Sequence, residues 1–243
     1  MKKKCIVTGA TGVIGSFLVK YFQDKNWNVI LLSSTNQDKY EFNLKKINLM
    51  NKKIFKDCSV LIHCAYDFYQ TEWHKIEKVN IEGSLELFKI ANENGVKKII
   101  NISTLSAFEG AKSKYGIAKY LIEKKSKKYN TINLRCGLFA SNKNKLYNKL
   151  KLLSENNYIF PLIGKGNQKI HLLSPVKLAT FIEKIINLKN TSQTYYVADM
   201  KYILFRDLIK KFNKKKFFIY CPVFLIEFLL KFFDKYKIKV GFT

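Results

Sequence analysis

Thr8-Gly9-Ala10-Thr11-Gly12-Val13-Ile14-Gly15 follows a short apolar run, Cys5-Ile6-Val7, and opens an amphipathic stretch that continues to Asp24. This order predicts a strand, a glycine-rich turn and a helix in direct succession. Glycines let the turn fold sharply and let its backbone approach a pyrophosphate, which the free N–H groups at the helix N-terminus attract. The stretch therefore predicts a dinucleotide-binding loop, although a glycine triplet alone can also be merely a turn.

Downstream of this loop, short apolar runs alternate with longer amphipathic ones through the first two-thirds of the chain. The apolar runs are continuous, as in parallel strands that are buried on both faces, and they cover residues 5–7, 29–32, 60–63, 99–102 and 132–135. Helical patterns lie between them at residues 14–24, 72–94 and 113–128. Repeated strand–helix–strand units of this kind predict an α/β fold with a doubly wound parallel sheet.

The alternation of apolar and amphipathic runs becomes less regular from residue 141 onward. We expect residues 1–140 to form the dinucleotide-binding domain and residues 141–243 to form a reduced C-terminal substrate-binding region that is interwoven with it. The second part contains a predicted helix near 143–155, a strand at 169–173, a helix at 176–188 and a strand at 194–198. Its most apolar run, residues 217–233, is shorter than the ~20 residues that span a bilayer, which favours a packed helix over a transmembrane segment.

The net charge of +26 suggests nucleic-acid binding at first sight. Only two of the 44 basic residues are arginines, however, and arginine is the residue that grips phosphates and base edges in bidentate fashion. The lysines are also spread along the chain, which favours a solvated surface that could attract an anionic substrate. The five cysteines form no C-x-x-C pair and the N-terminus has no signal-peptide pattern, so we expect a cytoplasmic protein without a metal site.

A second motif, Tyr115-Gly116-Ile117-Ala118-Lys119, lies in the predicted helix 113–128. Residues four apart on a helix share a face, so the Lys119 ammonium can favour the Tyr115 phenolate and lower the pKa of that phenol. Such a pair is a candidate general acid/base for a hydroxyl proton. In a chain this rich in both residue types, the pair alone would favour an ordinary helix surface over a catalytic pair.

The order of these motifs resembles the extended short-chain dehydrogenase/reductase family, which contains nucleotide-sugar epimerases, dehydratases and reductases and has a Rossmann-type fold. Four further segments carry the resemblance. They are Asp57–Ala65, which is similar to the family's fourth strand, Val79–Ser84, Ile99–Thr104 and Leu134–Phe139.

The resemblance implies a role for each matching residue. Tyr115 would be the catalytic acid/base, Lys119 would bind the nicotinamide ribose, and Thr104 would bind the reacting oxygen, with Ser106 as its substitute. The cofactor would be held by the glycine loop and by residues around it: Gly9, Thr11, Gly12, Val13, Ile14, Gly15, Ser33, Ala65, Asn80, Ser103, Tyr115 and Lys119. Family members also often dimerise through the two helices here at 72–94 and 113–128, which makes a homodimer a prediction.

Three departures from the family pattern refine these expectations. The second strand ends in Leu32-Ser33-Ser34-Thr35 without the acidic residue that binds the ribose of NAD, and Lys39 follows, so we favour NADP over NAD. Leu105-Ser106 stand where sugar dehydratases carry an Asp-Glu pair, which argues against dehydration. The substrate-binding part is short and divergent, so the sugar itself stays open.

We therefore expect an NAD(P)-dependent oxidoreductase or epimerase of a sugar nucleotide, with no nucleic-acid partner. The alternative is a catalytically weak NADP-binding sensor or assembly protein. A nucleic-acid-binding role based on the charge is the second alternative.

Overall fold

The computed structural model describes residues 2–34, 42–156, 159–188, 193–214 and 217–222. These residues form two compact units. The first contains the described residues up to Ser141 together with Leu173–Ala198, and the second contains Asn142–Leu172 and the described residues from Asp199 onward. The division of the chain at residue 140 in the sequence stays a prediction.

Strands and helices alternate along most of the described chain. In chain order, the strands and α-helices are β1 (Lys4–Thr8), α1 (Val13–Asp24), β2 (Asn28–Leu32), β3 (Val60–His63), α2 (Trp73–Ile76), α3 (Gly83–Glu93), β4 (Lys98–Thr104), α4 (Lys114–Ser126), β5 (Thr131–Cys136), β6 (Leu138–Phe139), α5 (Lys145–Asn156), β7 (Ile159–Ile163), β8 (Lys169–Ile170), β9 (Leu172–Leu173), α6 (Pro175–Asn187), β10 (Thr194–Val197), β11 (Ile203–Leu204), α7 (Phe205–Phe212) and β12 (Phe217–Cys221).

Six strands of the first unit form one parallel sheet in the order β10-β5-β4-β3-β1-β2. The predicted strands at 5–7, 29–32, 60–63, 99–102, 132–135 and 194–198 all belong to it. Because every strand runs in the same direction, their carboxyl ends meet at one edge, where the glycine loop leaves β1. The predicted parallel α/β fold is confirmed.

Helices cover both faces of this sheet. On one face, α1 and α6 pack on a cluster that includes Leu18, Phe22 and Ile182. On the other face, α3 and α4 contribute Leu87, Phe88 and Ile122 to a second cluster. Side chains of neighbouring strand residues point alternately to the two faces, which is why the strand sequences are apolar throughout. The sheet is therefore doubly wound, as the sequence predicts.

The connection between β2 and β3 differs from the family pattern. Residues 42–59 contain two 3₁₀ turns, Leu44–Leu49 and Lys52–Phe55, and no strand. Asn43 and Asn51 accept a hydrogen bond through their side chains from the backbone N–H two residues on, which starts each turn. The segment that resembles the family's fourth strand contains β3, which lies next to β1 in the sheet, and its match to that strand of the family stays a prediction.

The predicted helix at 72–94 is helical over its length but is not uniform. A π-helical segment, Glu77–Glu82, lies between α2 and α3. One extra residue per turn changes the direction of the side chains that follow, and such segments occur frequently at functional sites. The segment contains Asn80, one of the residues that the resemblance implicates.

In the second unit, β7 pairs in parallel with β12, and β8 pairs antiparallel with β11. Helix α5 is held against α7 by the Ser154 hydroxyl, which donates to the Ile209 carbonyl. The predicted helix over 217–233 is wrong at its start, because residues 217–221 are extended and hydrogen-bonded to β7 as β12. Its remainder lies outside the described residues. Within the described ranges, no helix is both long and apolar enough to cross a membrane.

Candidate active site

The glycine loop joins β1 to α1, and each of its three glycines meets a different geometric demand. Gly9 has a φ of +64°, which side-chain-bearing residues rarely adopt. Gly12 is the N-cap of α1 and its N–H donates to the Gly9 carbonyl at 2.9 Å. A Cβ on Gly15 would lie 2.1 Å from the Gly9 carbonyl oxygen. The loop is therefore tight, with a bare backbone at the helix N-terminus, and it fits a bound pyrophosphate.

The side chains of the loop secure it to the sheet edge. The Thr11 hydroxyl lies 2.7 Å from that of Ser33 at the end of β2, which links the loop to the second strand. Val13 and Ile14 begin α1 and pack against the apolar cluster beneath it. Thr35 and Lys39, which bear on the choice between NAD and NADP, lie outside the described residues.

A buried hydrogen-bonded chain runs from the loop strand to the π-helical segment. The Thr8 hydroxyl accepts from the Ala65 N–H at 3.3 Å and contacts His63 Nδ1 at 2.8 Å. His63 Nε2 contacts the Ser84 hydroxyl at 2.9 Å, and that hydroxyl donates to the Asn80 carbonyl at 2.6 Å. Because the single Ser84 proton goes to Asn80, His63 Nε2 donates to Ser84 and His63 Nδ1 accepts from Thr8.

The pKa of His63 agrees with this assignment. Burial lowers it well below the ordinary value, and the nearby Lys119 ammonium lowers it further. The ring is therefore neutral at pH 7 and acts as a fixed connector. His63 thus links β1, β3 and the helical segment above them. No group of three or more metal-ligating side chains occurs in the portion of the chain that the structure describes.

Asn80 clamps the loop that follows β3. Its Oδ1 accepts from the Asp67 N–H at 2.7 Å, and its Nδ2 donates to the Asp67 carbonyl at 3.0 Å. The Asp67 carboxylate in turn accepts from the Tyr69 N–H at 2.9 Å and from the Gln70 amide at 2.7 Å. The buried Asn80 therefore fixes the conformation of residues 65–70 at the sheet edge.

Helix α4 packs on the sheet through polar side chains as well as through the apolar Ala118 and Ile122. Lys119 donates from Nζ to the Ile102 carbonyl at 2.8 Å. One turn later, Glu123 accepts from the Ser103 hydroxyl and from the Arg135 guanidinium of β5. Hydrogen bonds are more directional than apolar contacts. The register of α4, and with it the place of Tyr115, is thus set by specific donor–acceptor pairs.

Thr104 ends β4, and its loop contacts the first turn of α4. Its hydroxyl accepts from the Ser106 N–H at 3.3 Å. A Cβ on Gly116 would lie 2.5 Å from the Ser106 carbonyl oxygen, so only glycine allows this approach. The structure therefore brings the Thr104 loop next to Tyr115. Ser103 lies apart from this group, because its hydroxyl is buried and donates to Glu123.

Tyr115 is surrounded by aromatic rings that the sequence did not implicate. The Tyr66 ring lies edge-on to it at a centroid distance of 4.9 Å, and the Phe68 ring lies 5.5 Å away. The Lys119 ammonium lies 5.3 Å from the centre of the Tyr66 ring. Lys119 thus contacts the Ile102 carbonyl and the Tyr66 ring, and it lies on the same face of α4 as Tyr115.

The pKa of Tyr115 is not lowered in this arrangement. Burial raises the pKa of the phenol, and the neighbouring Tyr66 and Cys136 raise it further. Burial also lowers the pKa of Lys119 to about 8, an effect that Cys64, Cys136 and Glu123 partly offset. The expected lowering of the Tyr115 pKa by Lys119 is therefore not found, because desolvation of the buried phenol is the largest influence on that pKa.

Most of the residues that the resemblance implicates lie at one edge of the sheet. The glycine loop, Ser33, Ala65, Thr104 and the start of α4 all follow the carboxyl ends of its strands. Sequence reasoning missed the contacts that support them, made by Tyr66, Asp67, Phe68, Ser84, Glu123 and Arg135. A signal for Glu123 was present, because it lies four residues after Lys119 and so on the same helix face.

The model of the NAD dependent epimerase/dehydratase family matches residues 5–139, which is more than half of the chain. No curated protein sequence matches. The matched range contains β1 to β6 together with both motifs on which the sequence argument rests.

Solved structures of several sugar-nucleotide enzymes are similar to the chain. The UDP-N-acetylglucosamine 4-epimerase of Bacillus cereus has a TM-score of 0.76 at 17% identity, over 91% of this chain and 86% of that one. The dTDP-glucose 4,6-dehydratase of Streptomyces venezuelae, solved with NAD, has 0.75 at 15%, over 90% and 84%. The UDP-glucose 4-epimerase of Thermotoga maritima, solved with UDP-glucose, has 0.74 at 20%, over 90% and 85%. At these identities the likeness shows the fold.

Proposed function

Because the chain belongs to the NAD dependent epimerase/dehydratase family, we propose that it is an NAD(P)-dependent oxidoreductase or epimerase that acts on a sugar nucleotide. One observation carries the proposal. Three features lie at the same edge of one sheet. They are the glycine loop after β1, Thr104 at the end of β4, and the face of α4 that carries Tyr115 and Lys119. In open α/β sheets this edge is where ligands bind.

The glycine loop would hold the pyrophosphate, with Thr11, Ser33 and Ala65 beside the nucleotide. When bound, the nicotinamide ring would accept hydride from the sugar carbon or donate hydride to it. Asn80 would support the cofactor side of the site through the loop that it clamps. Ser103 is proposed to act through Glu123 and the position of α4, since its hydroxyl is committed to that carboxylate.

Tyr115 would take the proton of a sugar hydroxyl as the carbon that bears it loses hydride, and would return the proton when the carbonyl is reduced. Thr104 would hydrogen-bond the same oxygen and fix its position. Lys119 would stabilise the phenolate. For that role its ammonium, which now donates to Ile102, must approach the Tyr115 oxygen, and its lowered pKa makes its charge sensitive to pH near 8.

We propose NADP as the preferred cofactor, since Ser33 at the end of β2 presents a hydroxyl where NAD-specific sites place a carboxylate. Native mass spectrometry of the purified protein tests this first. Retained NAD would favour an epimerase, which recycles its cofactor, and would overturn the NADP preference. Empty protein that binds added NADPH in titration would favour a reductase of keto-sugar nucleotides.

Turnover then tests the assignment of Tyr115. Tyr115→Phe keeps the ring contacts with Tyr66 and Phe68 but removes the transferable proton, so we expect bound cofactor without turnover. Unchanged turnover would make the acid/base role wrong. Cofactor binding without turnover of any sugar nucleotide by the wild type would favour the alternative, a sensor or assembly protein.

We further propose that the protein is a cytoplasmic homodimer without a nucleic-acid partner. Light scattering after size exclusion tests the dimer. A duplex-DNA titration at physiological salt tests the last point, because binding driven by the charge of +26 would fall steeply as salt is raised.

A further inference from the structure

The loop after β3 presents two aromatic side chains to Tyr115. We call Tyr66 and Phe68 the aromatic wall. The Tyr66 ring is partly buried, 4.9 Å from the Tyr115 ring, and packs 4.8 Å from the Phe68 ring. Phe68 lies 5.5 Å from Tyr115 with the ring planes tilted by 31°. The three rings thus form one continuous surface at the proposed reaction centre.

The aromatic wall is held in place from below. Asn80 pairs with both backbone groups of Asp67, the residue between the two wall residues. The Asp67 carboxylate closes the turn by accepting from Tyr69 and Gln70. Four hydrogen bonds therefore fix a six-residue loop, so the wall is preorganised rather than freely adjustable.

Phe68 is nevertheless 70% exposed. A fixed apolar ring that faces water beside a proposed catalytic group offers a ligand-binding surface, since binding sites are lined by aromatic side chains. Tyr69, the next residue, is 91% exposed, and the Tyr115 ring contacts Tyr66 and Phe68 instead. Of these two adjacent aromatic residues, Phe68 packs against the Tyr115 ring, so Tyr69 serves as the control position for Phe68.

We propose that Phe68 binds the C–H face of the pyranose ring whose hydroxyl reaches Tyr115. A pyranose has axial C–H groups that carry partial positive charge, and the face of an aromatic ring is negative, so the two attract when stacked. This inference rests on the proposed function and adds the residue that recognises the sugar part of the substrate.

Isothermal titration calorimetry with saturating NAD or NADPH tests the proposal. The probes are UDP-glucose, UDP-N-acetylglucosamine and dTDP-glucose, each compared with the matching nucleoside diphosphate. We expect Phe68→Ala to weaken binding of the sugar nucleotide about tenfold and that of the diphosphate less than twofold. Tyr69→Ala should leave both affinities unchanged, and Phe68→Trp should restore the affinity for the sugar nucleotide.

The outcomes distinguish failure of the role proposed for Phe68 from failure of the proposed function. Equal effects of Phe68→Ala and Tyr69→Ala, or equal loss for sugar nucleotide and diphosphate, would overturn the role of Phe68 and leave the proposed function standing. Failure of the wild type to bind any of the three sugar nucleotides, with cofactor bound, would overturn both. Circular dichroism melting of each variant establishes that it is folded.

Discussion

Arg135 on β5 and Glu123 on α4 form a buried ion pair. The Arg135 Nη2 and Nε atoms lie 2.7 Å and 3.0 Å from Glu123 Oε2, and both side chains are largely shielded from water. Arg135 also donates to the Tyr196 hydroxyl at 2.9 Å. The pair connects β5 and β10 to the helix that carries Tyr115 and Lys119.

Removal of one partner of this pair should be costly. Arg135→Met leaves the Glu123 carboxylate buried without its cation, so we expect the free energy of unfolding to fall by about 3–5 kcal/mol. Urea unfolding followed by circular dichroism measures it. Lys25→Met, which breaks the exposed pair with Glu183, is the control and should cost about 1 kcal/mol or less. A loss for Arg135→Met no larger than that control would show that the pair contributes little.

Gly15→Ala should weaken cofactor binding strongly. The new Cβ would lie 2.1 Å from the Gly9 carbonyl oxygen, so the loop and α1 must separate. Quenching of intrinsic fluorescence by NADPH measures the affinity, which we expect to fall at least a hundredfold. Gly95→Ala is the control for a general loss of stability, because Gly95 follows the C-cap of α3 far from the loop in sequence and its φ of +76° strains an alanine there without placing an atom in the loop. Equal affinities for the two variants would contradict the role assigned to the loop.

Asn80→Ala should loosen the aromatic wall. The Asp67 N–H and carbonyl both lose their partner, and an unsatisfied backbone group costs about 1–3 kcal/mol when it is shielded from water. We expect a raised KM for the sugar nucleotide together with faster amide hydrogen exchange in residues 66–70. Ser84→Ala breaks the contacts of that hydroxyl with His63 and with the Asn80 carbonyl but leaves the Asn80 side chain paired with Asp67, so it should not change exchange there. Unchanged protection in Asn80→Ala would refute the clamp.

Lys119 should make stability depend on pH. Its pKa is lowered from 10.5 to about 8 in the folded protein, so between these values the unfolded chain holds a proton that the folded chain has released. The free energy of unfolding contributed by Lys119 therefore rises as the pH increases from about 8 to about 10.5.

Lys119→Met isolates this contribution. Urea unfolding at pH 7, 8, 9 and 10 should show the wild type gaining stability relative to the variant as the pH rises. Lys124→Met, at an exposed position of the same helix, is the matched control. A difference between wild type and Lys119→Met that stays constant over this range would show that Lys119 is not desolvated as the structure indicates.

The sheet and its two motifs can be predicted from the amino-acid sequence. Continuous apolar runs such as 60–63 and 99–102 can be buried on both faces only in a parallel sheet that helices cover on each side. The spacing of Gly9, Gly12 and Gly15 directly after such a run fixes a tight turn before a helix. These signals are local, so they can be read without knowing which residues meet.

The contacts that hold the site in place depend on how distant segments pack. Asn80 and Asp67 lie in different elements, as do Glu123 and Arg135, and no local pattern says that either pair will meet. The same is true of the aromatic wall, because Phe68 reaches Tyr115 only after β3 and α4 are placed. For residues 217–221 the local pattern gave a wrong prediction. Their apolar run favoured a helix, but they pair with β7 as a strand. Contacts between distant segments depend on the packing of the whole unit, and this is why chain order alone could not supply them.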